Sequence, residues 1–536
     1  MPTKVLRYTV PALIATAALA LALSACGGGS SGDDATSALA KYVPADALVY
    51  VEGSVRPDQE LADNVNKLAT KLTGSPLSDT IDDALANAEE GDVSYTEDVE
   101  PWLGENAAFY VGGDFATDAA DSVASGDASL TPDMDATDGE DVGLVAETTD
   151  VDASQSFIEK AAGEENATDG EYEGFSYKVS KDDDSVLGIV DDYVVFATSE
   201  DVFKAMVDAS QGDSLEGTSA FSDVSGKAAD GSLLNVYIIH EPLLAATKSS
   251  GFDVSSLYST LGSDVTDTAT LISLVPTADE ISLVGATNLE PALESGDPSA
   301  VLETFPANSL YAAGTGDVGA NITKILDAID KEGIEGVVEP GQLNKELDKI
   351  SNQGFDVRSI VESLETVGVF VSGDSVDTLG GALVATTSDP EPLKSTLGAF
   401  SSLIGLAGDA KVKPLGGGQT GFSVKTPELP GRPVVIALQG DRLVIAIGLP
   451  AAQQALSGKG ETLADSDSYK AAEESLSGEN VDMFGNPAAI GGLIADATGG
   501  DPDVAKFADI LKKFQYLVSG SGSEDNTFEL NLGLKD

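Results

Sequence analysis

The chain runs twice through one order of strands and helices, and this repeat limits its possible folds more than any other feature. Residues 43–53 read VPADALVYVEG and residues 305–314 read FPANSLYAAG. Behind each strand lies a segment whose apolar residues follow a four-three-four spacing, which lines one face of a helix. These apolar residues are Leu61, Val65, Leu68 and Leu72 in the first copy and Val318, Ile322, Ile325 and Ile329 in the second.

Later landmarks recur in the same order. DVEPWLGENAAFYVGGD (98–114) parallels IVESLETVGVFVSGD (360–374), and VLGIVDDYVVFATS (186–199) parallels VVIALQGDRLVIAIG (434–448). The second pair predicts hairpins, with Asp-Asp or Gly-Asp at the turn, where such residues tolerate positive φ. EISLVGATNL (280–289) and TFELNLGL (527–534) end the copies with strand alternation. Landmarks that keep their order indicate a tandem duplication.

The order of elements predicts the fold class and the domain limits. Strands arrive as hairpins or return after a helix, which favours an α+β fold of two tandem, diverged copies of a mostly antiparallel sheet packed with helices. The first repeat is predicted over residues 38–290 and the second over residues 298–536. Between them, EPALESGDPSAV (290–301) has the prolines, glycine and acids of a linker. One shared sheet and two separate lobes both fit this pattern.

The N-terminus has the parts of a lipoprotein signal peptide over residues 1–25. Lys4 and Arg7 precede an apolar run at residues 9–23, which is shorter than the roughly 20 residues that cross a bilayer. LSAC (23–26) resembles a bacterial lipobox. This resemblance implies that the thiol of Cys26 carries a diacylglyceryl group and that Cys26 is the mature N-terminus. The alternative is an ordinary signal peptide with a chance cysteine.

Cys26 is the only cysteine in the chain, so no disulfide is predicted. A stable anchor takes more than one acyl chain, because each buried CH₂ contributes only about 0.8 kcal/mol. A diacyl group, for example with palmitate, meets this need. Residues 26–37 are rich in glycine and serine and are predicted to form a flexible tether. The expected location is the extracytoplasmic face of the cell membrane.

The charge of the chain excludes one class of partner. Ninety acidic and 29 basic residues give a formal charge of −61. Such a chain repels nucleic acid and anionic membrane surfaces, so membrane contact is expected through the N-terminal lipid alone. The expected partners are an unknown envelope protein or ligand. The excess of acidic residues has three alternative explanations, which are adaptation to a salty environment, cation binding and solubility.

An acidic insertion at residues 114–141 occurs in the first copy and has no counterpart in the second. Within it, Asp133, Asp135, Asp138 and Asp141 are candidate calcium ligands, because carboxylate oxygens are the ligands that Ca²⁺ prefers. The EF-hand pattern fails, since Gly139 stands six residues after Asp133 rather than five. The alternative is a solvated surface loop. No cofactor other than calcium is expected.

The residues needed for catalysis are scarce, so no enzyme is predicted. His240 is the only histidine, and it follows the apolar strand NVYII, where a hydrogen-bonding role is more common than catalysis. Trp102, the only tryptophan, is interpreted as a packing residue or a ligand platform. A hydrolase that uses carboxylates or a Ser-Lys pair, and a solute-binding lipoprotein of a transporter, are the alternatives to a non-enzymatic binding or structural role.

PADALVYVEG (44–53) and DVEPWLGENAAFYVGGD (98–114) resemble a bacterial family known only as domain of unknown function thirty-three fifty-two. The resemblance is sharpest at six residues, which are Asp98, Val99, Pro101, Trp102, Leu103 and Gly104. It implies an exported or lipid-anchored envelope protein, and it brings no activity or catalytic residues. SLETVG (363–368) replaces the proline and tryptophan in the second copy, which marks that copy as diverged.

Overall fold

The computed structural model describes most of the chain and divides it into two compact units. The first unit comprises Met1–Leu257 and Asp264–Glu290, and the second comprises Tyr258–Ser263 and Pro291–Asp536. The described residues are 37–75, 95–112, 141–163, 166–241, 258–259, 261–333, 338–406, 411–415, 419–425, 431–458, 460–478, 480–497, 502–522 and 526–535. Among them, no helix has the length and apolar character needed to cross a membrane.

Within its described residues, the first unit has ten antiparallel strands. They are β1 (Val49–Ser54), β2 (Leu103–Val111), β3 (Val142–Thr148), β4 (Ala167–Tyr172), β5 (Phe175–Ser180), β6 (Val186–Val190), β7 (Tyr193–Ala197), β8 (Leu234–Ile239), β9 (Ala269–Pro276) and β10 (Glu280–Thr287). Their pairings give the order β4-β5-β6-β7-β3-β2-β1-β8-β9-β10. Each strand alternates its side chains between the two faces of the sheet, so both faces can be buried.

Helices of the first unit include one at the place that the Leu61–Leu72 spacing predicts. They are α1 (Gln59–Thr73), α2 (Val151–Ala162), α3 (Glu200–Gln211) and α4 (Ser219–Ser225), with 3₁₀ turns at Ser37–Tyr42 and Leu215–Gly217 and a π turn at Tyr95–Val99. Asp58 and Asp150 cap α1 and α2 by accepting hydrogen bonds from backbone N–H groups at 2.8 and 3.0 Å. Such caps satisfy donors that a helix start leaves unpaired.

Both faces of the first sheet carry a hydrophobic core, and alternate residues of strand β7 enter the two different cores. Val195 packs in the core that contains Phe203 of α3 and Phe221 of α4. Its neighbour Phe196 packs in the other core, with Phe157 of α2 and Trp102. The first unit is therefore a sheet between two helical layers.

The described ranges of the second unit contribute ten further antiparallel strands. They are β11 (Ser309–Thr315), β12 (Leu364–Ser372), β13 (Gly380–Thr387), β14 (Lys411–Pro414), β15 (Thr420–Lys425), β16 (Val434–Gln439), β17 (Arg442–Ile447), β18 (Asn480–Gly485), β19 (Phe514–Ser521) and β20 (Thr527–Leu534). Their pairings give the order β14-β15-β16-β17-β13-β12-β11-β18-β19-β20. This is the strand order of the first unit, strand for strand, and the predicted α+β class is confirmed.

Helices of the second unit are more numerous within the described residues. They are α5 (Ser299–Leu302), α6 (Val318–Glu332), α7 (Leu343–Ser351), α8 (Val357–Ser363), α9 (Glu391–Leu406), α10 (Leu449–Ser457), α11 (Asp467–Ser475), α12 (Pro487–Ala497) and α13 (Pro502–Leu511), with a 3₁₀ turn at Leu463–Asp465. Helices α10 and α11 supply Ala452 and Tyr469 to a core on one sheet face. On the other face, α9 packs Leu393 and Leu397 against Phe422 and Leu438.

The two hairpins predicted from the repeat are present. Strands β6 and β7 turn at Asp191, whose φ is 54°, and β16 and β17 turn at Gly440, whose φ is 65°. Positive φ is tolerated best by glycine, aspartate and asparagine, which explains the residue types at these turns.

Candidate functional site

A pocket of about 420 Å³ opens between helix α2 and the β4–β5 hairpin of the first unit. Asp169 and Lys178 stand directly opposite each other in the hairpin and form an ion pair of 2.5 Å. Glu171 stands opposite Ser176 on the same face, and α2 contributes Ile158 to the lining. The pocket thus offers charges of both signs and a hydroxyl beside an apolar side chain.

The sequence produces this pocket through a glycine in the edge strand. Gly170 pairs with Tyr177, and a Cβ at position 170 would lie 2.2 Å from the tyrosine ring. The ring packs instead across the bare backbone, and its hydroxyl donates to Glu200 at 2.7 Å. The polar residues of the hairpin then share the opposite face, toward α2, as the strand period of two requires.

A carboxyl group lies in the core of the first unit. Glu52 is 1% exposed and stands two residues after Tyr50 on β1, so both face the same side of the sheet. Tyr50 donates its hydroxyl to one carboxylate oxygen at 2.8 Å, and Tyr237 of β8 donates to the other at 3.1 Å. Asn235 stands directly opposite Glu52 in the β1–β8 register.

Burial governs the protonation of this group. It raises the pKa of Glu52 to about 7, against the opposing hydrogen bonds from Tyr50, Tyr237 and Asn235, which lower it. Burial also raises the pKa of both tyrosines, and the neighbouring carboxylate adds to this effect. A carboxylate without a cation beside it favours its neutral form when water is removed.

The hydrogen-bond network continues from strand β8 to strand β9. Ser273 donates its hydroxyl to the side-chain oxygen of Asn235 at 2.7 Å and accepts the backbone N–H of Ala229 at 3.1 Å. The network therefore joins three adjacent strands and the segment before β8. The network lies in the core and therefore has a structural role in fixing strand register. A shifted register would leave buried polar groups without hydrogen-bond partners, which lowers the stability of the fold.

The second unit does not repeat this network. Glu52 pairs with Ala108 of β2, and the matching position on β11 is Gly314, which pairs with Gly368 of β12. The second unit instead buries Glu529 of β20, which accepts the backbone N–H of Ser477 at 2.9 Å. Sequence reasoning missed both carboxyls. The only signal for Glu52 was an acid at an inward position of an alternating strand.

His240 follows strand β8 and is half-buried. Its two ring nitrogens lie 3.0 and 2.9 Å from the hydroxyls of Thr268 and Thr270. Burial lowers the pKa of His240, so its neutral form is favoured. These contacts support the hydrogen-bonding interpretation of this residue.

Trp102 is completely buried at the start of β2. Its indole Nε1–H donates to the carbonyl of Asp98 at 2.7 Å, and its ring lies 5.3 Å from the ring of Phe157. The backbone carbonyl of Trp102 accepts hydrogen bonds from the hydroxyls of Thr148 and Thr149, both at 3.1 Å. The burial favours packing over a ligand platform, which needs an accessible ring face.

The remaining candidate residues lie largely outside the described part of the chain. These are Cys26, Asp133, Asp135 and Asp138. Asp141 is described, is exposed, and precedes β3, where its carbonyl accepts the N–H of Gly112 at 2.7 Å. Within the described ranges, no group of three or more His, Cys, Asp or Glu side chains is arranged to hold a metal ion.

Fold and site together define a class of protein: a duplicated, antiparallel α+β protein with internal carboxyl networks and a polar pocket. The chain belongs to the family described as "Protein of unknown function (DUF3352)", whose model matches residues 8–484. This match confirms the resemblance found at residues 44–53 and 98–114. No curated protein and no solved structure matches the chain.

Proposed function

We propose that this chain is a lipid-anchored protein of the extracytoplasmic envelope that binds a partner or ligand and catalyses no reaction. The observation that carries this proposal is the LSAC sequence at residues 23–26, placed after a basic start and a short apolar run. The family match is consistent with the unknown activity alone, because the family is described only as one of unknown function.

The start of the folded body supports a short anchor. The 3₁₀ turn Ser37–Tyr42 already contributes Leu39, Ala40 and Tyr42 to the core of the first unit. Only residues 27–36 separate it from Cys26, and a fully extended chain of this length spans roughly 35–40 Å. An acylated Cys26 would therefore hold the first unit close to the bilayer surface.

The charge explains why an anchor is needed. A chain of formal charge −61 is repelled by a bilayer with anionic headgroups. Acyl chains oppose this repulsion through the apolar surface they bury. The covalent lipid would hold the folded protein beside the membrane, and the electrostatic repulsion would keep its surface out of contact with the headgroups.

A binding role is supported by the internal hydrogen bonds of the buried carboxyl group and of the histidine. Glu52 is enclosed by two tyrosines, and His240 has both ring nitrogens beside threonine hydroxyls. These side chains serve internal contacts. The pocket beside α2, with Lys178, Asp169 and Ser176, suits reversible binding of a small polar molecule by hydrogen bonds.

Replacement of Cys26 by serine tests the anchor. We expect Cys26→Ser to move the protein from the membrane fraction to the soluble fraction, because serine cannot carry the thioether-linked lipid. The far-ultraviolet circular dichroism spectrum should be unchanged, since residues 26–36 precede the buried core. The matched control is Ser24→Ala, which leaves the thiol in place and should stay with membranes. Tight membrane association of the Cys26→Ser variant after a high-salt wash would contradict the proposal.

A further inference from the structure

The second unit has a partly exposed apolar strip on one face of its sheet, the face on which α9 also packs. We call this strip the outer patch. Its six side chains are large, apolar and 38–43% exposed. They are Tyr311, Val369, Val371, Leu383, Ile445 and Ile447. Single exposed apolar residues are ordinary on proteins, but a contiguous set indicates an interaction surface.

The strand registers show that the outer patch is contiguous. Tyr311 stands opposite Val371 across β11 and β12. Val369 stands opposite Leu383, and Leu383 stands opposite Ile445 on β17. Residues directly opposite in neighbouring strands share a face, with Cβ atoms about 5 Å apart. The six side chains therefore cover four adjacent strands.

Two of the matching register positions are buried in the first unit. Leu144 and Phe196 pair across β3 and β7 as Leu383 and Ile445 pair across β13 and β17, and they are only 6% and 2% exposed. They lie in the core that Trp102 and α2 close. The second copy lacks the tryptophan, and α9, which packs on this same face against Leu438, leaves Leu383 and Ile445 38% and 41% exposed.

The backbone of these strands excludes binding by strand addition. Strand β11 pairs with β12 and β18, β12 with β11 and β13, β13 with β12 and β17, and β17 with β13 and β16. All four strands have a paired strand on each side, so their backbone N–H and C=O groups already form hydrogen bonds within the sheet. The occupant of the outer patch must therefore be held by nonpolar contact, and polar groups on it would lose hydration without compensation.

Size and charge select the occupant. Six side chains about two-fifths exposed present on the order of 400 Å², if a full side chain has roughly 150–200 Å². A stable dimer needs about 800 Å² from each partner. A second copy would also bring another charge of −61 to a patch without charged residues. A neutral aliphatic chain is small enough for the exposed area and brings no charge to the outer patch.

We propose that the outer patch binds the acyl chain of a lipid. This inference rests on the proposed function as an envelope binding protein and names its ligand class. The ligand is held on β11, β12, β13 and β17 of the second unit. The covalent lipid at Cys26 anchors the protein, whereas the outer patch holds a separate, exchangeable chain.

A fatty-acid titration tests the proposal. The full chain carrying Cys26→Ser is purified without detergent and titrated with cis-parinaric acid, a fluorescent polyene fatty acid whose emission rises in apolar surroundings. We expect a saturable rise in emission. Leu383→Thr with Ile445→Thr should weaken binding about tenfold, because threonine keeps the strand preference and removes apolar surface. The matched control is Phe109→Thr, whose side chain is 37% exposed in the first unit and should leave affinity unchanged.

Three results would overturn the proposal. The first is an emission rise that never saturates. The second is equal affinity of the double variant and its parent, and the third is a dimer that the double variant converts to monomer, which would assign the outer patch to a second copy. If the double variant fails to fold, the two single variants replace it. This readout is independent of membrane partition, so failure of the anchor and failure of the outer patch are distinguishable.

Discussion

Replacement of Trp102 by alanine should lower the free energy of unfolding of the first unit by about 3–5 kcal/mol, as is typical of large aromatic truncations in cores. The side chain is completely buried and packs against Phe157. Alanine removes the ring contacts and the hydrogen bond from Nε1 to the carbonyl of Asp98. The cavity that results lies in the core formed by α2 and strands β3 and β7.

Urea unfolding followed by circular dichroism measures this loss. Because Trp102 is the only tryptophan, its fluorescence in the parent identifies which transition belongs to the first unit. Trp102→Phe is the matched control; it keeps an aromatic ring, loses the indole N–H, and should cost about 1–2 kcal/mol. A loss below 1 kcal/mol for Trp102→Ala would contradict the packing role.

Replacement of Glu52 by glutamine should stabilise the first unit at pH 8 by roughly 3 kcal/mol, since each step of one in pKa corresponds to about 1.4 kcal/mol. Burial raises the pKa of Glu52 from 4.5 to about 7. The native state therefore binds a proton more tightly than the unfolded state. Stability falls as pH rises from about 4.5 to about 7, and the destabilisation is complete above pH 7.

The comparison of two pH values isolates this effect. At pH 4.5 the parent carboxyl is protonated in the native state, so Glu52→Gln should differ little from it there, and the gain should appear as pH rises. Urea unfolding followed by Trp102 fluorescence gives both values. Glu60→Gln, at the exposed start of α1, is the control for removal of one charge and should stay within about 0.5 kcal/mol. A pH-independent difference between Glu52→Gln and the parent would show that Glu52 titrates normally.

The sequence was informative where structure is local. Apolar spacing at Leu61, Val65 and Leu68 predicted a helix that the structure places at Gln59–Thr73. Asp191 and Gly440 predicted the turns of two hairpins, because few residues accept positive φ. The repeat was visible for the same reason, since each landmark is a short motif and its order survives divergence.

The buried network around Glu52 could not be predicted in the same way. Alternation places Tyr50 and Glu52 on one face of β1, but Tyr237 lies 185 residues away from Glu52 along the chain. Burial of that face depends on Phe221 of α4, which packs against both tyrosine rings. A contact of this kind follows from the pairing of β1 with β8, and a sequence pattern does not specify strand partners.

The exposure of the outer patch could not be predicted from the sequence either. Val369, Phe370 and Val371 form a continuous apolar run, which is typical of a strand buried on both faces. Phe370 is buried, but its two neighbours are each 38% exposed. The apolar run therefore does not distinguish full burial from partial exposure, because a sequence pattern does not specify how far a neighbouring helix extends over the sheet.

The central claim is that acyl chains on Cys26 hold this strongly anionic protein at the membrane. Mass spectrometry of the N-terminal peptide from the protein purified out of its own membranes tests this most directly. We expect a peptide that begins at Cys26 and carries a diacylglyceryl group on sulfur. A peptide with a free Cys26 thiol, or one that still contains residues 1–25, would contradict the account.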